Sequence, residues 1–166
     1  MRQLADLENI VRLLIAEHGK LLSQLDQQQA AMRTFKVQPI EDVTTLQEAT
    51  RLRIATLDTK RRALVQQIAR GMRVELDARG ELTLTRLAEM FPQRAKELTA
   101  LRDQLKDVLL KIQTRTTIAT RLAGTVLGHL NTAVRLLAGA VQQAGVYTKH
   151  GTPKVANRIG AMEAVG

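Results

Sequence analysis

Apolar side chains recur at heptad spacing from the first turn of the chain. Leu4, Leu7, Val11, Leu14, Leu21, Leu25, Met32 and Phe35 mark the seam, and His18 and Gln28 fill its two polar places. Steps of three and four keep such a stripe on one side of a 3.6-residue helix. Residues 2–35 therefore read as a long amphipathic helix with a coiled-coil-like seam. The pattern fades over Thr34–Gln38, and Pro39, which has no amide hydrogen to satisfy, suits the first turn of a second helix. That helix is expected to run to about Arg70. Its face is Ile40, Val43, Leu46, Ile54, Leu57, Leu64 and Ile68, and Gly71 is its expected C-cap.

Residues 71–91 fit two patterns. Val74, Leu76, Leu82 and Leu84 alternate around Asp77-Ala78-Arg79-Gly80, as in a small hairpin. A lone two-stranded hairpin is marginal, so the preferred reading is a loop and then a short helix. Thr83 is its N-cap, and Leu84, Leu87, Ala88 and Met90 face inward. Phe91-Pro92 ends it, because a residue before proline avoids the α region. From Pro92 to about Ala144 a single stripe runs through Leu98, Leu101, Leu105, Val108, Ile112, Ala119, Leu122, Val126, Leu130, Val134, Leu137 and Val141. This predicts one helix on the order of 75 Å long. The last 22 residues are small, Gly-interrupted and basic, and read as a flexible tail. The expected architecture is all-α: an antiparallel, coiled-coil-like bundle of three long helices with a short helix before the third. Residues 1–144 form one helical domain and 145–166 the tail.

Composition narrows the function. With no Cys there are no disulfides, no thiolate nucleophile and no sulfur-ligated zinc, and the expected compartment is the cytoplasm. No run of 18 apolar residues exists and the N-terminus lacks a signal-peptide core, so neither membrane insertion nor secretion is expected. The net charge is +9, of which residues 92–144, with 8 bases and 3 acids, supply +5. The longest basic run is only Lys60-Arg61-Arg62, and aromatics are 2% of the chain. A single-strand nucleic-acid site would want stacking aromatics, so nucleic acid is not the expected partner. His18, His129 and His150 have no ligand spacing, and the chain's only Ser, Ser23, sits in no nucleophile elbow. Neither an enzyme, a metal site nor a cofactor is expected.

The lengths disagree in an informative way. Two helices of about 32 residues can cover only part of one of about 50, leaving about 20 residues, or on the order of 30 Å, without shelter. From Leu122 to Thr148 the only formal charge is Arg135, and 15 of these 27 residues are apolar. Leu127, Leu136 and Ala140 lie off the main stripe, so the apolar arc is wider than one seam needs. Either this end folds back on its own bundle or it takes a partner: a second copy through the third helix, a basic-helix contact with an anionic membrane, or another protein's helix. Five such side chains would gain about 1.5–3 kcal/mol each on burial, before association costs. Gly124-Thr-Val-Leu-Gly128 reads as close helix packing or local softness rather than a membrane dimer motif.

Three stretches together resemble FlgN, the flagellar type III export chaperone family: LLIAEHGKLLSQL (residues 13–25), LTLTRLAEMFPQRAKELTALRDQL (82–105) and LNTAVRLLAGAVQQAGVYTKHG (130–151). The resemblance in helix plan spans nearly the whole chain. It implies a chaperone that takes up the C-terminal amphipathic helices of the hook-filament junction proteins FlgK and FlgL on the last part of its long helix. The corresponding residues here are Leu122, Val126, Leu127, Leu130, Val134, Leu137 and Val141. It also implies docking to the export gate protein FlhA through a tail tyrosine, here Tyr147, followed by Thr148 where the family commonly has glycine. The alternative outside the family is a structural coiled-coil adaptor or self-assembling helical protein.

Overall fold

A computed structural model describes residues 2–76 and 81–144, with side chains as far as residue 140. The chain forms the expected all-α bundle: α1 (Arg2–Thr34), α2 (Val37–Met72), α3 (Leu84–Met90), a 3₁₀ turn (Pro92–Arg94) and α4 (Ala95–Ala144). No strand occurs among the described residues. Residues 77–80, and the expected tail over 145–166, lie outside them. By its contacts the chain divides into two compact units, Met1–Ala123 and Gly124–Gly166. The first holds the bundle.

Both long breaks are made without glycine. α1 stops at Phe35, with φ 54°, whose N–H donates to the Met32 carbonyl at 3.3 Å. Phe35 was expected on the seam, but the break leaves it 62% exposed. α2 stops at Arg73, also at φ 54°. Arg73 N–H donates to the Arg70 carbonyl at 3.3 Å and Val74 N–H to that of Ala69 at 3.0 Å, the Schellman arrangement. Gly71, the expected cap, lies inside the helix. Val74 and Leu76 pack on the core just beyond the turn, and that contact sets the stop two residues later than glycine would. α3 follows its sequence signals closely: Thr83 Oγ1 accepts from Arg86 N–H at 3.2 Å, and Leu87 is fully buried.

The interior changes character along its length. At one end Leu4, Leu7 and Val11 of α1, Val65 and Ile68 of α2, Leu82, Leu87, and Leu98 and Leu101 of α4 make an aliphatic core. Towards the α1–α2 connection the interior is polar. Gln47 Nε2 donates to the Gln24 carbonyl and to Gln28 Oε1, both at 3.3 Å. Gln24 Nε2 donates to Thr50 Oγ1 at 3.0 Å, and Gln29 Nε2 reaches the Arg115 carbonyl of α4 at 3.1 Å. Buried Gln47 and Thr50 replace the expected Leu46, which is exposed, because only they meet the glutamines of α1.

These pairings fix direction. α1 and α2 run antiparallel, since Gln24 meets Thr50 while residues 4–11 meet 65–68. α1 and α4 run parallel, giving an up-down-up bundle. Glu8, 1% exposed, accepts from Arg94 Nε at 2.9 Å and from its Nη2. Arg94 also reaches Glu97 at 2.9 Å, and Glu97 pairs with Arg12. The hydrogen bond that Arg94 donates to Glu8, and the charge of that carboxylate, push the Arg94 guanidinium above its ordinary pKa. A second ion cluster closes the loop before α3. Asp58 accepts from Arg61 and Arg62 at 2.8 Å each, and Arg61 reaches Glu81 at 3.2 Å. Burial acts to raise the Asp58 carboxyl, but the two arginine hydrogen bonds and charges outweigh it and hold it below its ordinary value.

Two outcomes follow from this packing. Leu87→Ala empties a site with no solvent exposure and should cost about 2–5 kcal/mol in urea unfolding; a cost within that of a surface change would mean α3 is not anchored as described. A depressed carboxylate stabilises the fold above its unfolded pKa and loses that contribution as pH falls through the folded value. The unfolding midpoint of Asp58→Asn should therefore lie below that of the wild type at neutral pH. The gap should narrow below about pH 4, the ordinary carboxylate range.

Candidate functional site

The register of α1 on α4 decides how much of α4 the bundle can use. Three contacts share nearly one offset: Glu8 with Arg94 and Gln29 with Arg115 at 86 residues, Arg12 with Glu97 at 85. α1 ends at Thr34, so this offset exhausts it opposite residues 119–120 of α4. Burial along the α4 seam changes at the same place. Leu98, Leu101, Val108 and Ala119 are buried, and Leu122 and Val126 are half-buried. Leu130, Val134 and Leu137 are exposed, as are Leu127 and Leu136 off the seam, all between 54% and 69%.

Sequence explains why this face is broad. From Leu122 to Val134 the apolar steps are 122, 126, 130 and 134, each of four residues. Repeated steps of four carry a stripe around a 3.6-residue helix instead of along it, and Leu127 and Leu136 widen it further. From Leu122 to Ala144 the only charge is Arg135. Thr132 spends its hydroxyl internally, donating to the Gly128 carbonyl at 3.0 Å. Gly124, Gly128 and Gly139 have nothing within 4 Å of where a Cβ would stand. Nothing in the described chain packs closely on Gly124 or Gly128, and each glycine softens the helix locally.

The expected site residues thus fall into three groups. Leu127, Leu130, Val134 and Leu137 form an open apolar face, and Leu122 and Val126 lie at its half-buried border. The side chain of Val141 and the whole of Tyr147 lie outside the described residues. Leu136 was counted in the broad arc but not among the binding residues, yet at 69% it is as open as any of them. Sequence reasoning also passed over Leu109 and Leu110, 44% and 53% exposed on the bundle part of α4. The signal was there: a leucine pair standing off the Leu105, Val108, Ile112 seam.

His18 Nδ1–H donates to the Leu14 carbonyl at 2.7 Å, so this half-buried seam histidine is held by its own helix. Among the described residues no group of three or more His, Asp or Glu is placed to hold a metal ion. No described helix is long and apolar enough to cross a membrane.

No curated protein and no solved structure matches the chain. The model of the family described as FlgN protein matches residues 1–154. That match takes in all four helices, including the exposed apolar stretch of α4, and so the chain belongs to the FlgN family, the flagellar export chaperones, whose partners are flagellar proteins.

Proposed function

We propose that the chain acts in the cytoplasm as the chaperone of the hook-filament junction proteins, FlgK-like and FlgL-like. It takes up their C-terminal amphipathic helices on α4 between Leu122 and Val141 and presents them to an FlhA-like export gate. The observation that supports this most is the single seam of α4, buried as far as Ala119 and open from Leu130 to Leu137. A free junction-protein helix exposes an apolar stripe that would otherwise self-associate. Laid against Leu130, Val134 and Leu137 it buries that stripe in helix-on-helix packing. Holding needs no nucleotide, because burial of apolar area supplies the free energy. Tyr147, beyond the end of α4, is the proposed contact with the gate, leaving the helix face to the cargo.

Self-assembly through the open seam is the competing reading, and light scattering separates the two. A tight dimer that buries α4 and ignores junction-protein helices would make this a structural coiled-coil protein instead. Leu130→Asp, Val134→Asp and Leu137→Asp combined should leave the unfolding midpoint nearly unchanged, since all three side chains are exposed. The same variant should bind FlgK-like and FlgL-like C-terminal helices at least about 100-fold more weakly in calorimetry. Undiminished binding would remove α4 from the cargo site. Tyr147→Ala should keep cargo affinity and lower affinity for the FlhA-like gate; an unaltered gate affinity would end the tyrosine's assigned role.

A further inference from the structure

Within residues Met1–Ala123 the bundle carries a second apolar feature, a groove of about 890 Å³. Leu14 and Leu21 of α1 lie at its floor, and Ile54 of α2 and Leu109 and Ile112 of α4 stand in its walls. Its lining runs from Leu7 to Leu21 on α1 and from Arg51 to Val65 on α2. Either span is about 21 Å, or four helical turns, at 1.5 Å per residue. Volume gives the same length independently. A helix 10–12 Å across occupies about 120–170 Å³ per residue, so 890 Å³ holds the inward half of about 10–15 residues. One further helix, seated by one face, fits this space.

The lips of the groove select its charge. The Asp58 and Glu81 carboxylates there are already neutralised by Arg61 and Arg62, and Arg102 is paired with Asp103. Arg51 on the α2 lip and Lys106 on the α4 lip are exposed and have no ionic partner among the described residues. The charge left over is positive on both sides, so a fitting helix carries acids on both flanks of its apolar face. This chain does not supply one. From Val108 to Ala144 it has four bases and no acid, and residues 145–166 have three bases and one acid. The acid-bearing stripe of α1 already has its leucines in the core.

We propose that this groove is a docking site for a helix of another protein, about four turns long, aliphatic on one face and acidic along both edges. It is separate from the cargo face assigned to the end of α4. Bound there, the helix would turn the three-helix body into a four-helix one, covering Leu109 and Leu110.

Fluorescence anisotropy with the full chain tests this, using two labelled peptides of about four turns. Each has a leucine face, flanked by glutamates in one and by lysines in the other. The glutamate peptide should bind saturably and at least about tenfold more tightly than the lysine peptide. Arg51→Glu with Lys106→Glu should reverse that order. Lys106→Gln alone, at a single exposed position, should narrow it if the double variant does not fold. Leu130→Asp, Val134→Asp and Leu137→Asp combined should leave glutamate-peptide binding intact, which separates this site from the α4 cargo face. Equal affinity for the two peptides would overturn the proposal. So would binding that is lost with the α4 triple change but kept with the charge reversal. No uptake of the glutamate peptide, as when a second copy or the chain's own end fills the groove, overturns it as well.

Discussion

The carboxylate of Glu8, held inside the bundle by the guanidinium of Arg94, is the contact on which the rest of the architecture turns. A charge taken out of water is tolerated only where its partner is in place, and moving α1 by one turn along α4 would leave Glu8 buried and alone. Apolar seams are permissive about register, because leucines recur every three or four residues and nearly fit when shifted. The ion pair is not. Arg12 with Glu97 and Gln29 with the Arg115 carbonyl repeat the same offset along α1. Register then fixes where α1 is used up on α4, and that point is where the α4 seam opens.

The polar interior near the α1–α2 connection works in the same direction. Aliphatic burial is concentrated where α1 begins, α2 ends and α3 crosses, so that region carries most of the stability. Gln24, Gln28, Gln29, Gln47 and Thr50 contribute specificity instead. Each hydrogen bond there is worth about 1 kcal/mol net, but leaving a donor unpaired costs more, so the glutamines reject misaligned pairings more strongly than they reward the right one. The bundle is well anchored at one end and held in alignment at the other.

Much of this was legible in the residues themselves. Heptad spacing marked α1, one continuous apolar stripe marked α4, Thr83 and Phe91-Pro92 bounded α3, and comparing helix lengths singled out the end of α4. What was missed depended on three-dimensional partners. Leu46 reads as core on periodicity alone, but Gln47 and Thr50 take the interior because glutamines face them from α1. Gly71 reads as a cap, yet the packing of Val74 and Leu76 moves the stop to Arg73. Glu8 is one more acid on an amphipathic helix until Arg94, 86 residues away, makes it a buried ion pair. The groove escaped notice because its walls come from three helices and no single segment carries its pattern.

The composition of the open part of α4 suits the holding role proposed for it better than it suits permanent assembly. Permanent coiled coils set partner and register with charges flanking the seam. Between Leu122 and Ala144 there is only Arg135, so little beyond apolar fit distinguishes one register or one client from another. Apolar contact without flanking charges gives affinity without strong selectivity, which is what a chaperone serving two related helices requires. Gly124, Gly128 and Gly139 weaken helix propensity where nothing in the described chain packs on them, which suits a helix proposed to adjust along its length to a client. The ion-paired register keeps the bundle rigid, and the uncharged stretch of α4 remains adaptable. Within one continuous helix, the change from charged to uncharged sequence thus separates the part that holds the fold from the part proposed to hold the cargo.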